Sequence, residues 1–138
     1  MRRHWQDGEA TLHAPAAEVP LRIAASYRAR TRGLLGVDGV AGALLLTPAS
    51  SVHTVRMRFA IDVAYLDRRL RVLAVRTMPP GRVGRPRLRA RHVLEAQAGA
   101  MASWGVVRGA RLEVVGEGGR EESGEDGGGL PPAGRPGP

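Results

Sequence analysis

Apolar and polar residues alternate over much of the first 115 positions, and this pattern predicts a chain built mainly from β-strands. The longest example is the segment 52–67, where odd positions are mostly apolar and even positions include Thr54 and Asp62. Because the side chains of a strand point alternately to its two faces, a period of two places one face in a core. The segment exceeds the roughly five to six residues of a typical strand, so it predicts two strands or one sharply bent strand.

Shorter segments of similar character predict the remaining strands, at 11–13, 18–25, 43–46, 71–78, 92–96 and 112–115. Strand 71–78 is expected to pair as a hairpin with 61–66. Ser26 can serve as the N-cap of a short helix, which we expect over residues 27–34. Residues 98–104 are expected to form one or two further helical turns. The predicted strands are short and are separated by segments that contain Gly and Pro, and few helical turns are predicted. This pattern predicts a mainly β single domain, barrel- or sandwich-like, with one or two short helices.

All the predicted strands fall within residues 11–115, which we interpret as one β-rich domain. Residues 1–10 are polar and predict a flexible N-terminus or a short edge strand. From Gly116 onward, nine Gly and four Pro occur among the last 23 residues, without periodic apolar positions. Such a segment buries too little apolar surface to offset the conformational entropy that it would lose on folding. We therefore expect 116–138 to be a disordered, Gly/Pro-rich acidic tail.

The net charge of +8 raises the question of nucleic-acid binding, and all 21 basic residues are Arg. Residues 1–115 contain 19 Arg and 8 acids, which gives +11, whereas the tail contains 2 Arg and 5 acids, which gives −3. The basic loop 82–91 lacks the aromatic residues on which single-stranded bases stack. The Arg-rich surface therefore predicts weak, non-specific phosphate affinity rather than a dedicated nucleic-acid site.

Composition also bears on location. No apolar run approaches the roughly 20 residues that a membrane helix needs, and no apolar segment follows the basic start as a signal peptide requires. The chain has no cysteine, which excludes disulfides and thiolate metal sites. We therefore expect a cytoplasmic protein without membrane association.

Polar side chains inside apolar strands are the candidates for chemistry. His53 lies on the apolar face of its strand, and imidazole titrates near neutral pH, so it can act as an acid, a base or a ligand. Asp62 and Glu95 stand among apolar neighbours, and strands disfavour acidic residues. An architectural interpretation stays open for all three: His53 bonded to backbone, and each carboxylate in backbone hydrogen bonds or an ion pair with Arg32.

The functional interpretation is a non-catalytic binding or accessory module for a small polar ligand or a protein partner. Its pocket is expected to be lined by six residues: Arg32, His53, Thr54, Met57, Asp62 and Glu95. The alternative is a hydrolase or metal-assisted enzyme in which His53 works with Asp62 or Glu95. A third possibility is a weak nucleic-acid binder that uses the Arg-rich surface.

Metal and cofactor signatures are absent from the sequence. The four histidines are scattered without H-x-x-x-H or H-E-x-x-H spacing, and no G-x-G-x-x-G or Walker loop occurs. No G-x-S-x-G elbow presents a serine nucleophile. The sequence therefore predicts no cofactor and no metal.

Four segments in order carry a family resemblance: A-S-Y-R-A-R-T-R-G-L-L-G at 25–36, A-L-L-L-T-P at 43–48, S-V-H-T-V-R-M-R-F-A-I-D-V-A-Y-L-D at 51–67 and V-L-E-A-Q-A-G at 93–99. Their succession resembles domain-of-unknown-function family 192 (DUF192) over residues 19–115. That family has a basic Arg-Gly-Leu-Leu/Met-Gly element, a His-Thr-x-x-Met segment with Ile/Leu-Asp, and a Leu-Glu-x-x-x-Gly turn. The resemblance implies a compact β-rich domain and implies no mechanism.

The chain departs from the family pattern at three places. Ala60 stands where a proline usually precedes the Ile-Asp pair, and the hairpin turn at 68–70 lacks the usual glycine. Ala110-Arg111 replaces the usual Gly-Asp near the last strand, so no acidic role is carried over to that position.

Overall fold

The computed structural model describes residues 5–26, 42–50, 59–82 and 84–116, and these ranges form seven strands and one short helix. The mainly β prediction is confirmed. In chain order the elements are β1 (Gly8–Ala14), β2 (Ala17–Ala24), β3 (Ala43–Leu46), β4 (Ile61–Leu66), β5 (Val72–Met78), β6 (His92–Gln97), α1 (Ala100–Trp104) and β7 (Glu113–Val115). The predicted helix 27–34 and most of the first half of 52–67 lie outside the described residues.

The seven strands form one sheet in the order β5-β4-β6-β3-β2-β1-β7. Neighbours are antiparallel except β2 and β3, which run parallel. The two edges meet where Arg71 bridges Arg111, and Leu112 N donates to Leu70 O at 3.0 Å. The sheet is therefore curled on itself and closed along part of its seam, as in a barrel.

Every strand contributes apolar side chains to the interior of this barrel, which we call the interior face: Leu12, Leu21, Ile23, Leu45, Leu66, Val72, Leu94 and Val114 are among them. A second apolar cluster covers the opposite side of β3, β4, β5 and β6, which we call the outer face. Its members include Leu44, Leu46, Ile61, Val63, Tyr65, Ala74 and Val93. Each such side chain stabilises the fold by about 1.5–3 kcal/mol when fully buried.

Burial of both faces corrects one expectation from the sequence. Strand β4 was predicted to have one face in a core, yet all six of its residues are buried. The reason is that Ala64 and Leu66 pack in the interior while Val63 and Tyr65 pack on the outer face. Asp62 is consequently buried instead of facing solvent.

The predicted hairpin between β4 and β5 is confirmed by their antiparallel register. In its turn, Asp67 Oδ1 accepts hydrogen bonds from Arg69 N at 2.8 Å and Arg71 N at 3.0 Å. Leu70 has φ 65°, the left-handed region in which a glycine is usual. Its side chain is 2% exposed in the interior cluster, and that burial offsets the roughly 1–2 kcal/mol that the backbone conformation costs.

Helix α1 closes one end of the barrel. Met101 is buried in the interior cluster, and Trp104 O accepts a hydrogen bond from Ala16 N in the β1–β2 turn at 2.9 Å. Gly99 and Gly105 flank the helix with φ of 90° and 77°, which lets the chain enter and leave it abruptly. None of the helical structure in the described ranges is long and apolar enough to cross a membrane.

Candidate functional site

Two of the six predicted pocket residues can be located. Arg32, His53, Thr54 and Met57 lie outside the described residues, so their part in a pocket stays a prediction. Asp62 and Glu95 are described, at 3% and 4% exposure respectively. Both are therefore buried carboxyl groups on strands of one sheet.

The register of β4 against β6 separates these two carboxyl groups. Asp62 is paired with Ala96, and Glu95 is paired with Val63. Because successive residues of a strand face opposite ways, Asp62 points to the interior face and Glu95 to the outer face. The cluster memberships agree, since Ala96 belongs to the interior cluster and Val63 to the outer one. The sheet thus keeps the two side chains apart.

Asp62 is held by three donors. Its Oδ1 accepts from the Thr77 hydroxyl at 2.7 Å, and its Oδ2 accepts from Gly99 N at 2.9 Å and Met101 N at 3.1 Å. The two backbone N–H groups lie at the start of α1, where helices leave their donors without partners. Asp62 therefore ties α1 to β4 and β5. This geometry fits the architectural interpretation of Asp62.

Glu95 has a different environment. Across the outer face it lies in a row between Leu44 of β3 and Val63 of β4. The row continues to Arg76 of β5 beyond Val63, and to Arg22 of β2 and then Glu9 of β1 beyond Leu44. Within the described part of the chain, no side chain or backbone N–H donates to its carboxyl group. Burial raises the pKa of Glu95 from 4.5 to about 8, because the charged form loses its hydration. At neutral pH the group is consequently a neutral carboxylic acid.

Sequence reasoning missed a second polar feature of the outer face. Arg87 places its guanidinium carbon 4.6 Å from the centroid of the Tyr65 ring, a cation–π arrangement. The Arg87 Nε is buried, and no acceptor for it is found among the described residues. The sequence of the loop that carries Arg87 indicates only a basic segment without aromatic residues. The alternation of β4 marked Tyr65 as a core residue but gave no signal that an arginine would stack on it.

A buried polar pair lies on the interior side, at the junction of β3 and β6. His92 Nδ1 is 2.6 Å from Thr47 Oγ1, and the Trp5 ring meets the His92 ring edge-on at 5.2 Å between centroids. Thr47 and His92 are 45 residues apart, so no local spacing could have paired them. In the described ranges no group of three His, Asp or Glu side chains is arranged to hold a metal ion.

Comparison with known proteins identifies relatives of this chain. Residues 10–114 match the family DUF192, which is described as "Uncharacterized ACR". A UPF0127 protein of Pyrococcus horikoshii is 33% identical over 91 residues, covering 62% of this chain and 79% of that protein.

Two solved structures share the fold. A putative transcription regulator from Sinorhizobium meliloti superimposes with a TM-score of 0.68 at 15% identity, over 80% of this chain and 97% of that one. A protein of unknown function from Novosphingobium aromaticivorans gives a TM-score of 0.63 at 17% identity, over 79% and 86% of the two chains. At these identities the likeness concerns the fold alone.

Proposed function

We propose that this chain, which belongs to the DUF192 family, is a non-catalytic binding module that holds a small ligand with a polar group on the outer face of its sheet. The observation that carries the proposal is Glu95, a carboxyl group only 4% exposed with no donor among the described residues. The sequence adds Arg32, His53, Thr54 and Met57 to the site, and these four stay predictions.

The physical argument starts from the free energy of burial. An uncompensated polar group in an apolar setting destabilises a fold by about 1–3 kcal/mol, whereas an apolar side chain of similar volume would stabilise it. Leu44 and Val63 flank Glu95 on the sheet, so the outer cluster offers an apolar place that a leucine suits better. A residue that opposes stability at such a position is typical of a functional site.

The protonation state of Glu95 sets what it can recognise. A neutral carboxylic acid presents one O–H donor beside one carbonyl acceptor, so it can pair with an amide, an acid or a hydroxyl group of a ligand. The apolar neighbours exclude water and strengthen such a bond. Binding, rather than turnover, is the function that this arrangement supports best.

The hydrolase interpretation receives less support from the described geometry. It requires a free carboxylate near His53, and both oxygens of Asp62 are engaged by the start of α1 and by Thr77. Glu95 faces the opposite side of the sheet from Asp62. A pair of carboxylates acting together is therefore not part of the proposal.

A thermal-shift screen with small amides, acids and alcohols tests the proposal on the full chain. We expect several compounds to raise the Tm of the wild type and to lose that effect in Glu95→Leu. Glu113→Leu, at an exposed position of β7, is the matched control and should keep the effect. The proposal is overturned if no compound raises the wild-type Tm, or if the same compounds stabilise Glu95→Leu equally.

A further inference from the structure

Six exposed arginines lie together at one end of the barrel, from which β6 runs towards α1 at the other end. Backbone contacts join the three segments that carry them. Asp67 N donates to Arg71 O at 3.0 Å, Arg91 N donates to Leu66 O at 2.8 Å, and Arg71 bridges Arg111. The six, which we call the basic rim, are Arg68, Arg69, Arg71, Arg89, Arg91 and Arg111.

The side chains of the basic rim form no ion pair with any acid in the described part of the chain. Asp67 lies in the β4–β5 turn, and its Oδ1 already accepts two backbone N–H groups. Asp7 lies at the same end of the barrel, and its Oδ1 accepts from Ala25 N at 2.6 Å and Ser26 N at 2.8 Å. The rim is therefore a surface of positive charge that its nearest acids leave unpaired.

The rest of residues 1–115 has few acids to offer. That range contains 8, of which the structure describes seven, and the eighth, Asp38, belongs to a segment, 27–41, with three arginines. Glu9 is the direct partner of Arg22 on the sheet. Glu113 is two residues from the rim arginine Arg111 and forms no ion pair with it. The largest local concentration of acids is instead in residues 117–126, where five acids and one Arg give −4 over ten residues.

The last described residues run towards the basic rim. β7 is antiparallel to β1 and runs towards the start of β1. Gly116 continues that course, because a Cβ added to it would lie 2.9 Å from the Cα of Ala10. The start of β1 is at the rim end, where the Trp5 ring meets the His92 ring at 5.2 Å between centroids. Residues 117–126 therefore follow directly from a strand that points at the rim.

The ten residues are long enough to reach every rim arginine. An extended chain spans about 3.3–3.6 Å per residue, so ten residues span up to about 33–36 Å. Seven tilted strands, spaced about 4.7–4.9 Å apart, give a barrel circumference of roughly 40–45 Å, and half of it is about 20–22 Å. Covalent attachment also gives the segment an effective concentration in the millimolar range at the rim.

We infer that the acidic segment 117–126 lies across the basic rim of the same chain and shields it from other polyanions. Carboxylates and guanidinium groups form charge-assisted hydrogen bonds, so the contact needs no apolar surface from the tail. The inference is independent of Glu95 and of the proposed function. Nucleic-acid phosphates would bind the rim only by displacing this segment.

A nitroxide label on Ser123→Cys tests the contact in the full chain, which has no other cysteine. We expect the label to broaden the amide signals of Arg68, Arg69 and Arg89 to less than about half intensity at about 0.02 M NaCl, where charges are little screened. At about 0.5 M NaCl the intensities should recover. The amide signal of Ser103 in α1, at the other end of the barrel, should stay unchanged at both salt concentrations.

Variants separate charge from tethering. Replacement of the five acids of 117–126 by the corresponding amides keeps the label attached and should abolish the broadening. Arg69→Gln/Arg89→Gln should reduce it, whereas Arg22→Gln/Arg76→Gln, which removes as much charge from exposed positions of β2 and β5, should not. The inference is overturned if broadening is absent at low salt or survives replacement of the acids. It is also overturned if a labelled copy broadens the rim signals of an unlabelled one, because a second copy then supplies the segment.

Shielding is measured with a short DNA duplex by fluorescence anisotropy at low salt. Glu121→Gln/Glu122→Gln should bind the duplex at least about 3-fold more tightly than the wild type, because the rim is less covered. Glu9→Gln/Glu113→Gln removes as many acids from exposed positions of the body and should have a smaller effect. Equal gains in the two variants, equal affinity of the tail variant and the wild type, or absence of binding by all of them would overturn the shielding.

Discussion

Asp62 on β4 and Glu95 on β6 are one residue away from being direct cross-strand partners. Because successive residues of a strand face opposite ways, their side chains lie on opposite faces of the sheet. The consequence is a division of roles between two buried carboxyl groups. Asp62 accepts three hydrogen bonds and fastens α1 to the barrel. Glu95 receives none from the described residues and stays protonated at neutral pH. One is a structural tie, and the other is the group to which the proposed function assigns the ligand.

Replacement of Asp62 by Ala should destabilise the protein strongly. The change leaves the buried N–H of Met101 without its acceptor, which costs about 1–3 kcal/mol. It also removes the part-buried hydrogen bonds from the Thr77 hydroxyl and the Gly99 N–H, each worth about 0.5–1.5 kcal/mol. We expect a loss of roughly 3–5 kcal/mol in the free energy of unfolding, measured with urea. The exposed Glu113→Ala should change it by less than about 0.5 kcal/mol. A loss below about 1 kcal/mol for Asp62→Ala contradicts the structural role.

Stability should depend on pH through Glu95. Its pKa is raised from 4.5 to about 8 in the folded protein, so the folded state keeps a proton that the unfolded state releases above pH 4.5. The stabilising contribution is therefore complete below pH 4.5 and is lost as the pH rises towards 8. We expect the free energy of unfolding of the wild type to fall relative to Glu95→Gln by about 1 kcal/mol per pH unit in that window. Parallel curves for the two proteins between pH 5 and 8 would show that Glu95 titrates normally.

The same residue offers a test of the balance between function and stability. Glu95→Leu replaces a neutral acid among Leu44 and Val63 with an apolar side chain of similar size. We expect the free energy of unfolding at pH 7 to rise by about 1–2 kcal/mol, with a corresponding rise in Tm. A clear decrease in stability would instead mean that the Glu95 carboxyl group supports the fold.

The turn between β4 and β5 should respond unusually to glycine. Leu70→Ala removes a buried side chain and keeps the left-handed backbone, so we expect a loss of about 2–4 kcal/mol in the free energy of unfolding. Leu70→Gly loses the same contacts but relieves the backbone, and should be about 0.5–1 kcal/mol more stable than Leu70→Ala. In an ordinary conformation the order of the two variants is reversed, so their ranking by urea unfolding is the measurement.

His53 tests the part of the site that rests on sequence alone. If His53 lines the ligand pocket, His53→Ala should weaken the binding of compounds that the wild type recognises by 10-fold or more. Its free energy of unfolding should stay within about 0.5 kcal/mol of the wild type. Unchanged affinity combined with a large loss of stability would favour the architectural interpretation, in which His53 is hydrogen-bonded to backbone.

Local pattern determined much of this protein. Apolar alternation and turn residues located β3, the β4–β5 hairpin, β6 and the helical turn before Trp104, and ordered motifs identified the family. These features depend on residues that are close in the chain, where period and turn chemistry are encoded directly. The acidic residues inside β4 and β6 could be marked as unusual for the same reason.

Only the tertiary structure decided what those acidic residues do. Strand β6 lies between β3 and β4, so the register of Asp62 against Ala96 joins positions 34 residues apart in the sequence. A shift of one residue in that register would exchange the faces of Asp62 and Glu95, and no local pattern specifies it. The stacking of Arg87 on Tyr65 likewise depends on the path of a loop over the finished sheet. Alternation along a strand tells which residues share a face, whereas pairing between distant strands and burial by distant segments decide which polar side chains find partners and which do not.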